Sequence, residues 1–194
     1  MLDKLIQIID IIVNFLESFG LIGGFLLVIL ESIIPVLPLG IFIGLNVLAY
    51  GTFLGFFISY IATIIGCMIS FWLFRNLLRN YLYRIFKGKS KYKLEKWMKK
   101  MSEIDFNTLV VVLAMPFTPA FIVNIAAGLS HINNKKYLVA LLISKIAIIY
   151  FWGYVGTSLL ESIKDPIIII KIIVVVFIAY IISKIIEKIF KVEE

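Results

Sequence analysis

A chain of 194 residues that is 62% hydrophobic and only 16% charged, with a mean hydropathy of +1.06, does not have the composition of a soluble domain; such domains are about half apolar and roughly a quarter charged. A single cysteine and a single histidine exclude a disulfide framework and a cysteine/histidine metal centre, and no cofactor or metal is expected. The net charge of +7 gathers beside apolar runs, so it points to membrane topology and anionic lipid rather than to nucleic acid.

In chain order, residues 1–19 repeat apolar residues at helical spacing with Asp3, Asp10, Asn14 and Glu17 between them. This predicts an amphipathic helix at the membrane interface. The acids, and the lack of an Ala-x-Ala site, argue against a cleaved signal. Residues 20–50 are apolar but interrupted by Glu31, Pro35, Pro38, Gly40 and Gly44. Each half offers about half of the roughly 20 residues a spanning helix needs. Residues 52–74 are uncharged and predict a transmembrane helix. Residues 75–105 form a basic segment: between Arg75 and Lys100 lie ten positive charges and one acid, Glu95. Residues 106–129 repeat the interruption, with Pro116 and Pro119 in the middle and Gly128 near the end. Residues 137–160 predict a second span carrying one charge, Lys145, and 167–189 a third. The whole chain, 1–194, reads as one all-α membrane domain.

The charges also constrain topology. The basic segment and the basic C-terminus both belong on the cytoplasmic side. Both can lie there only if 106–129 enters and leaves the membrane on that side. This predicts a re-entrant hairpin with Pro116 and Pro119 at its tip, and by the same logic 20–50 enters from the other side with Pro35 and Pro38 at its tip. Broken backbone at membrane depth must be satisfied by protein or a watery cavity, and two opposed tips can supply this for each other. The halves share a plan of apolar half, P-x-x-P, apolar half and span. Ile58-Ser59-x-Ile61-Ala62 matches Ile143-Ser144-x-Ile146-Ala147. An inverted repeat is therefore expected, and paired interrupted segments point to a transport site near the midplane.

Glu31 before Pro35-x-x-Pro38, Arg75 after the first span, and Pro116-x-x-Pro119 leading to Asn124-x-x-Ala127-Gly128-Leu129 resemble the DedA superfamily, also called the VTT-domain or "SNARE-associated Golgi protein" family. Pro119 is closer to the branch of Tvp-type and bacterial YdjX-like proteins. The resemblance covers roughly residues 20–160. It implies a multi-pass protein of the bacterial plasma (inner) membrane with two facing re-entrant hairpins. It also implies a role in moving phospholipid or undecaprenyl phosphate between leaflets. The family often has an arginine where Leu113 stands here, and relatives near the DedA type have a second acid that Leu39–Ile43 do not supply, so the paired acid–arginine site of some relatives is incomplete.

An ionisable residue within the bilayer is by default a functional candidate. Glu31 is the sharpest; the competing reading places it shallow, in water. Lys145 lies about eight residues, roughly 12 Å, into its span. It either supplies the positive charge missing at Leu113 or snorkels its ammonium to the interface. Arg75 marks the cytoplasmic interface or meets a lipid phosphate. Asn46 and Asn124 either satisfy freed backbone groups or meet a headgroup. Pro35, Pro38, Gly40, Pro116, Pro119 and Gly128 are expected to shape the tips. No nucleophile elbow, His-Glu-x-x-His or phosphate loop is present, so an enzyme is not expected. The leading expectation is a flippase- or scramblase-like lipid transporter. Its alternatives are a proton- or ion-coupled carrier of a small solute and a membrane assembly factor. The expected partners are membrane lipids, with anionic headgroups at residues 75–100.

Overall fold

The computed structural model describes residues 18–34, 39–85, 87–117, 120–162 and 167–190, together with Ile11 and Asn14. Most of the amphipathic helix expected over 1–19 lies outside the described residues, as do Pro35, Pro38 and Pro119. The described residues are almost entirely helical: α1 (Gly20–Ile33), α2 (Leu39–Tyr50), α3 (Thr52–Trp72), α4 (Arg79–Ile85), α5 (Gly88–Glu103), α6 (Phe106–Ala114), α7 (Ala120–Leu129), α8 (Asn134–Glu161) and α9 (Ile167–Phe190). A π-helical turn, Leu73–Leu78, joins α3 to α4.

Three stretches are long and apolar enough to cross a membrane: Thr52–Leu78, Asn134–Leu159 and Ile167–Ile185. The expected spans are present, but two run past their expected ends. The first does not stop at Arg75, because that guanidinium finds acceptors on a neighbouring helix and the chain keeps winding through the π turn. The second starts three residues early. Asn133 caps it, its side-chain oxygen accepting from the amides of Lys135 (2.8 Å) and Lys136 (3.3 Å), which satisfies donors that a helix start leaves open. Asp105 caps α6 in the same way through the Thr108 amide at 3.0 Å. The Thr108 amide and hydroxyl together hold this exposed carboxyl below its ordinary range.

The interrupted segments form pairs of short helices. α1 and α2 have 14 and 12 residues, about 21 and 18 Å; α6 and α7 have 9 and 10, about 14 and 15 Å at the usual helical rise. None matches a hydrocarbon core of about 30 Å. The packing is crossed. α1 lies on α3 and α6 on α8, whereas α2 packs on α8 as well as α3, and α7 packs on α3. α3 and α8 touch each other between these pairs, and α9 packs against α8.

Glycines allow the tight crossings. A side chain at Gly66 of α3 would meet Ser32 of α1, and one at Gly128 would lie 2.6 Å from the Phe71 carbonyl oxygen. Gly40 and Gly44 of α2 face Trp152 and Gly156 of α8 in the same manner. Small residues at such contacts let helix backbones approach closely where lipid removes the usual hydrophobic drive. Gly40 and Gly128, expected to shape the hairpin tips, both make close helix contacts: Gly40 in the first turn of α2 and Gly128 near the C-terminal end of α7. Gly51, at φ +80°, makes the sharp reversal between α2 and α3 that a side chain would strain.

The larger core gathers Cys67 and Phe71 of α3, Met101 of α5, Leu109, Val112 and Leu113 of α6, and Tyr137 and Leu141 of α8. Cys67 is a buried packing residue with a free thiol. A second cluster of Ile43, Ile148 and Ile149 sits where α2 meets α8.

Candidate functional site

Glu31 lies in the last turn of α1, eleven residues beyond Gly20, about 16 Å along the helix. The next residue, Ser32, is buried against Gly66 of α3 and turns its hydroxyl back to the Val28 carbonyl at 2.8 Å. Glu31 is half-buried. Lys145 lies eleven residues beyond Asn134 in α8, also about 16 Å along its helix. Only 1% of it is exposed. It does not snorkel to a surface, and the field of its ammonium reaches the Glu31 carboxyl. The two are not in direct contact: among the described residues the ion pairs within 4.0 Å are Lys91–Glu95 and Lys99–Glu103. The fold therefore brings the two charges expected near the midplane into one electrostatic neighbourhood without an ion pair between them.

The surrounding helices are more polar than their hydropathy suggests. Ser59, Thr63, Gly66 and Ser70 recur on α3 at i, i+4, i+7 and i+11, one face of a helix, and all four are buried. Asn46 is 1% exposed and donates its amide to Ser59 Oγ at 3.0 Å and to the Gly24 carbonyl at 3.4 Å. Asn124, equally buried, accepts from the Tyr137 hydroxyl at 2.6 Å. The Tyr137 ring stacks on Phe71 with centroids 4.5 Å apart. Thr63 Oγ1, Ser70 Oγ and Asn124 Nδ2 are buried without a hydrogen-bond partner among the described residues. Buried polar atoms are nearly always satisfied, so these three are places where a water or a ligand group would be held. Thr63, Ser70 and Tyr137 did not stand out in sequence; the small-polar stripe at helical spacing was the available signal.

Both asparagines tie a short helix to the following long one across thirteen residues, Asn46 to Ser59 and Asn124 to Tyr137. The internal match of Ser59 to Ser144 does not describe this relationship. Ser144 bonds the Leu141 carbonyl of its own helix at 3.2 Å, and Tyr137 occupies the partner's place.

Arg75 is committed to protein. Its Nε–H donates to the Gly128 carbonyl (3.3 Å). Nη2 donates to the carbonyls of Ala127 (3.2 Å), Ser130 (3.0 Å) and Ile132 (2.9 Å), and Nη1 to the Asn134 side chain. The guanidinium also lies 4.3 Å over the Phe71 ring. It thereby caps α7, whose last carbonyls have no helical partner, and locks that helix to α3. Arg75→Lys keeps the charge but loses the planar fork. It is expected to lower stability by about 1–2 kcal/mol, the worth of one or two hydrogen bonds, read as a drop in Tm of the purified protein in detergent.

At the second interruption, Phe117 makes edge contacts with Phe151 of α8 (6.4 Å) and Tyr180 of α9 (5.6 Å). It borders an open apolar recess of about 360 Å³ lined otherwise by Ile172, Ile173, Val176, Phe177 and Tyr180. Pro116 is half-buried beside it. Among the described residues no group of three His, Cys, Asp or Glu side chains could hold a metal.

Three helices able to span a membrane, paired half-length helices and a buried lysine define a helical membrane protein with interrupted segments. The chain belongs to the VTT-domain (DedA) family, whose model matches residues 37–158. It is also 28% identical over 173 residues to the "Uncharacterized membrane protein YhjE" of Bacillus subtilis (strain 168), an alignment that takes in 89% of this chain and 82% of that protein. No solved structure matches it.

Proposed function

We propose that this protein moves a phosphate-bearing lipid, phospholipid or polyprenyl phosphate, between membrane leaflets. The observation that carries the proposal is Lys145: a fully buried ammonium, deep in a long helix, near a carboxylate at the end of a half-length helix. Burying a charge is costly, and such residues in membrane segments mark substrate or ion pathways. In this reading the pairs α1–α2 and α6–α7 are re-entrant hairpins inserted from opposite faces. Their crossed packing on α3 and α8, and the matching asparagine ties, support an inverted repeat. The ten positive charges between Arg75 and Lys100 then lie in the cytoplasm with the C-terminus. The headgroup phosphate passes Lys145 along the polar face of α3, with the orphaned Thr63, Ser70 and Asn124 groups as further donors. The tails stay in lipid, beside the apolar recess at Phe117. Arg75 holds α7 in place instead of meeting phosphate.

The test is reconstitution into liposomes carrying a fluorescent phosphatidylglycerol or a short-chain polyprenyl phosphate, with loss of inner-leaflet protection from a membrane-impermeant reductant as the readout. Faster exchange than in empty liposomes is expected. Exchange at the empty-liposome rate for both lipid classes would overturn the proposal. The electrostatic influence of Lys145 on Glu31 favours one other reading, a proton-coupled carrier of a small anion. That reading predicts uptake that follows an imposed pH gradient, whereas lipid exchange by the proposed route proceeds without one.

A further inference from the structure

We propose that the outer face of α5 is a docking surface for anionic phospholipid headgroups, in the leaflet on the side of the basic segment. One face of α5 is buried in the protein. Met98 and Met101 are 5% and 9% exposed, and Met101 belongs to the main core. The Ser102 hydroxyl accepts the His131 amide at 3.0 Å, fixing the helix to the loop before α8. The rotation of α5 is thereby set, and the opposite face must point away from the core. At 100° per residue that face carries Tyr92, Glu103, Lys96 and Lys89, all exposed, with the exposed Trp97 at the border between it and the buried face.

The charges on α5 are unbalanced. It holds six lysines and two glutamates, and each glutamate lies 4.0 Å from one lysine of its own helix, Glu95 from Lys91 and Glu103 from Lys99. Neither pair includes Lys89 or Lys96. The aromatic exposure matters equally: Tyr92 is 70% and Trp97 57% exposed. Large rings with one polar end, left open beside lysines, are the pattern of a membrane interface, where ring and ammonium both find partners. The preceding helix continues it, with Tyr81 and Ile85 61% and 54% exposed four residues apart. Juxtamembrane lysines of this kind are drawn to anionic lipid surfaces. A neutral headgroup would satisfy the rings but leave the lysine stripe without counter-charge, so the anionic lipid is the occupant the surface fits. This inference does not depend on lipid transport.

The test compares the native chain with Trp97→Phe in proteoliposomes doped with brominated phosphatidylglycerol or brominated phosphatidylcholine. The difference in tryptophan quenching between the two proteins isolates Trp97 from Trp72 and Trp152. Quenching of Trp97 about threefold stronger with the anionic lipid is expected, falling to the neutral-lipid level in Lys89→Glu/Lys96→Glu. These residues are exposed, so the variants keep the parent fold, checked by their elution and Tm. Equal quenching by both lipids would overturn the proposal. So would a Trp97 untouched by either lipid but open to aqueous acrylamide, which would assign the face to solvent or to a soluble partner.

Discussion

Lys145→Met is expected to leave the protein folded while slowing lipid exchange about 10- to 100-fold, the worth of one hydrogen bond to a charged group at roughly 1.5–3 kcal/mol. The stability half of this expectation follows from burial. Lys145 is 1% exposed and has no ion pair within 4.0 Å among the described residues, so its ammonium is held at a desolvation cost. Methionine fills nearly the same volume without that cost, and apolar replacement of buried ions is often neutral or stabilising by about 1–4 kcal/mol. Glu31, left behind, is half-buried and open to protonation or water. The functional half follows because nothing apolar offers a phosphate a charge at that depth. Glu31→Gln separates the two roles. If the carboxylate and ammonium act as one unit, Glu31→Gln, Lys145→Met and the double variant lose exchange to similar, non-additive extents. Exchange at the parental rate in Lys145→Met, with Tm unchanged, would reduce Lys145 to a structural residue and remove the main support for the transport reading.

The spans and interruptions were legible because membrane length and proline chemistry act along the chain. Twenty apolar residues, or two prolines amid them, have the same meaning in any tertiary setting. What a side chain faces is different. In a soluble helix, hydropathy separates core from surface; in α8 both the lipid side and the protein side are apolar. Nothing in the sequence around Lys145 could therefore say whether it turned inward or reached for the interface. Packing decides this: α2, α3 and α6 all pack on α8, and Lys145 is left only 1% exposed. Arg75 was legible as a charge at a helix end, but its acceptors come from residues 127–134, more than fifty positions away. The Ser59–Ser144 match expected of a repeat does not coincide with the asparagine ties the structure shows. In so isoleucine-rich a chain the Ile-Ser-x-Ile-Ala match carried less information than the two asparagine ties, one of which ends on a tyrosine that resembles an interfacial anchor.

The contact that holds the first helix pair to the second half of the molecule predicts the largest loss of stability. Gly156→Ala is expected to cost about 3 kcal/mol, the upper end of what overpacking does. A methyl group at Gly156 would overlap the Gly40 carbonyl oxygen and lie 2.7 Å from its carbon and 3.2 Å from the Gly44 nitrogen. All three are backbone atoms of α2, so no rotamer change can make room and the helix itself must shift. Such a shift is not local. α2 also carries Asn46, whose amide bridges Gly24 of α1 and Ser59 of α3. A side chain at Gly55 would meet the Asn46 carbonyl oxygen at 2.6 Å, so α2 is hemmed in from the α3 side as well. Gly153→Ala is the control one turn away: its methyl would meet only the Ile43 Cγ2 at 3.2 Å, the end of a side chain that can yield, and its effect should stay below about 1 kcal/mol. Thermal unfolding of both variants in detergent, followed by size-exclusion recovery, separates them. A Gly156→Ala protein that melts with its parent would mean that α2 does not rest on α8 as closely as the glycines require.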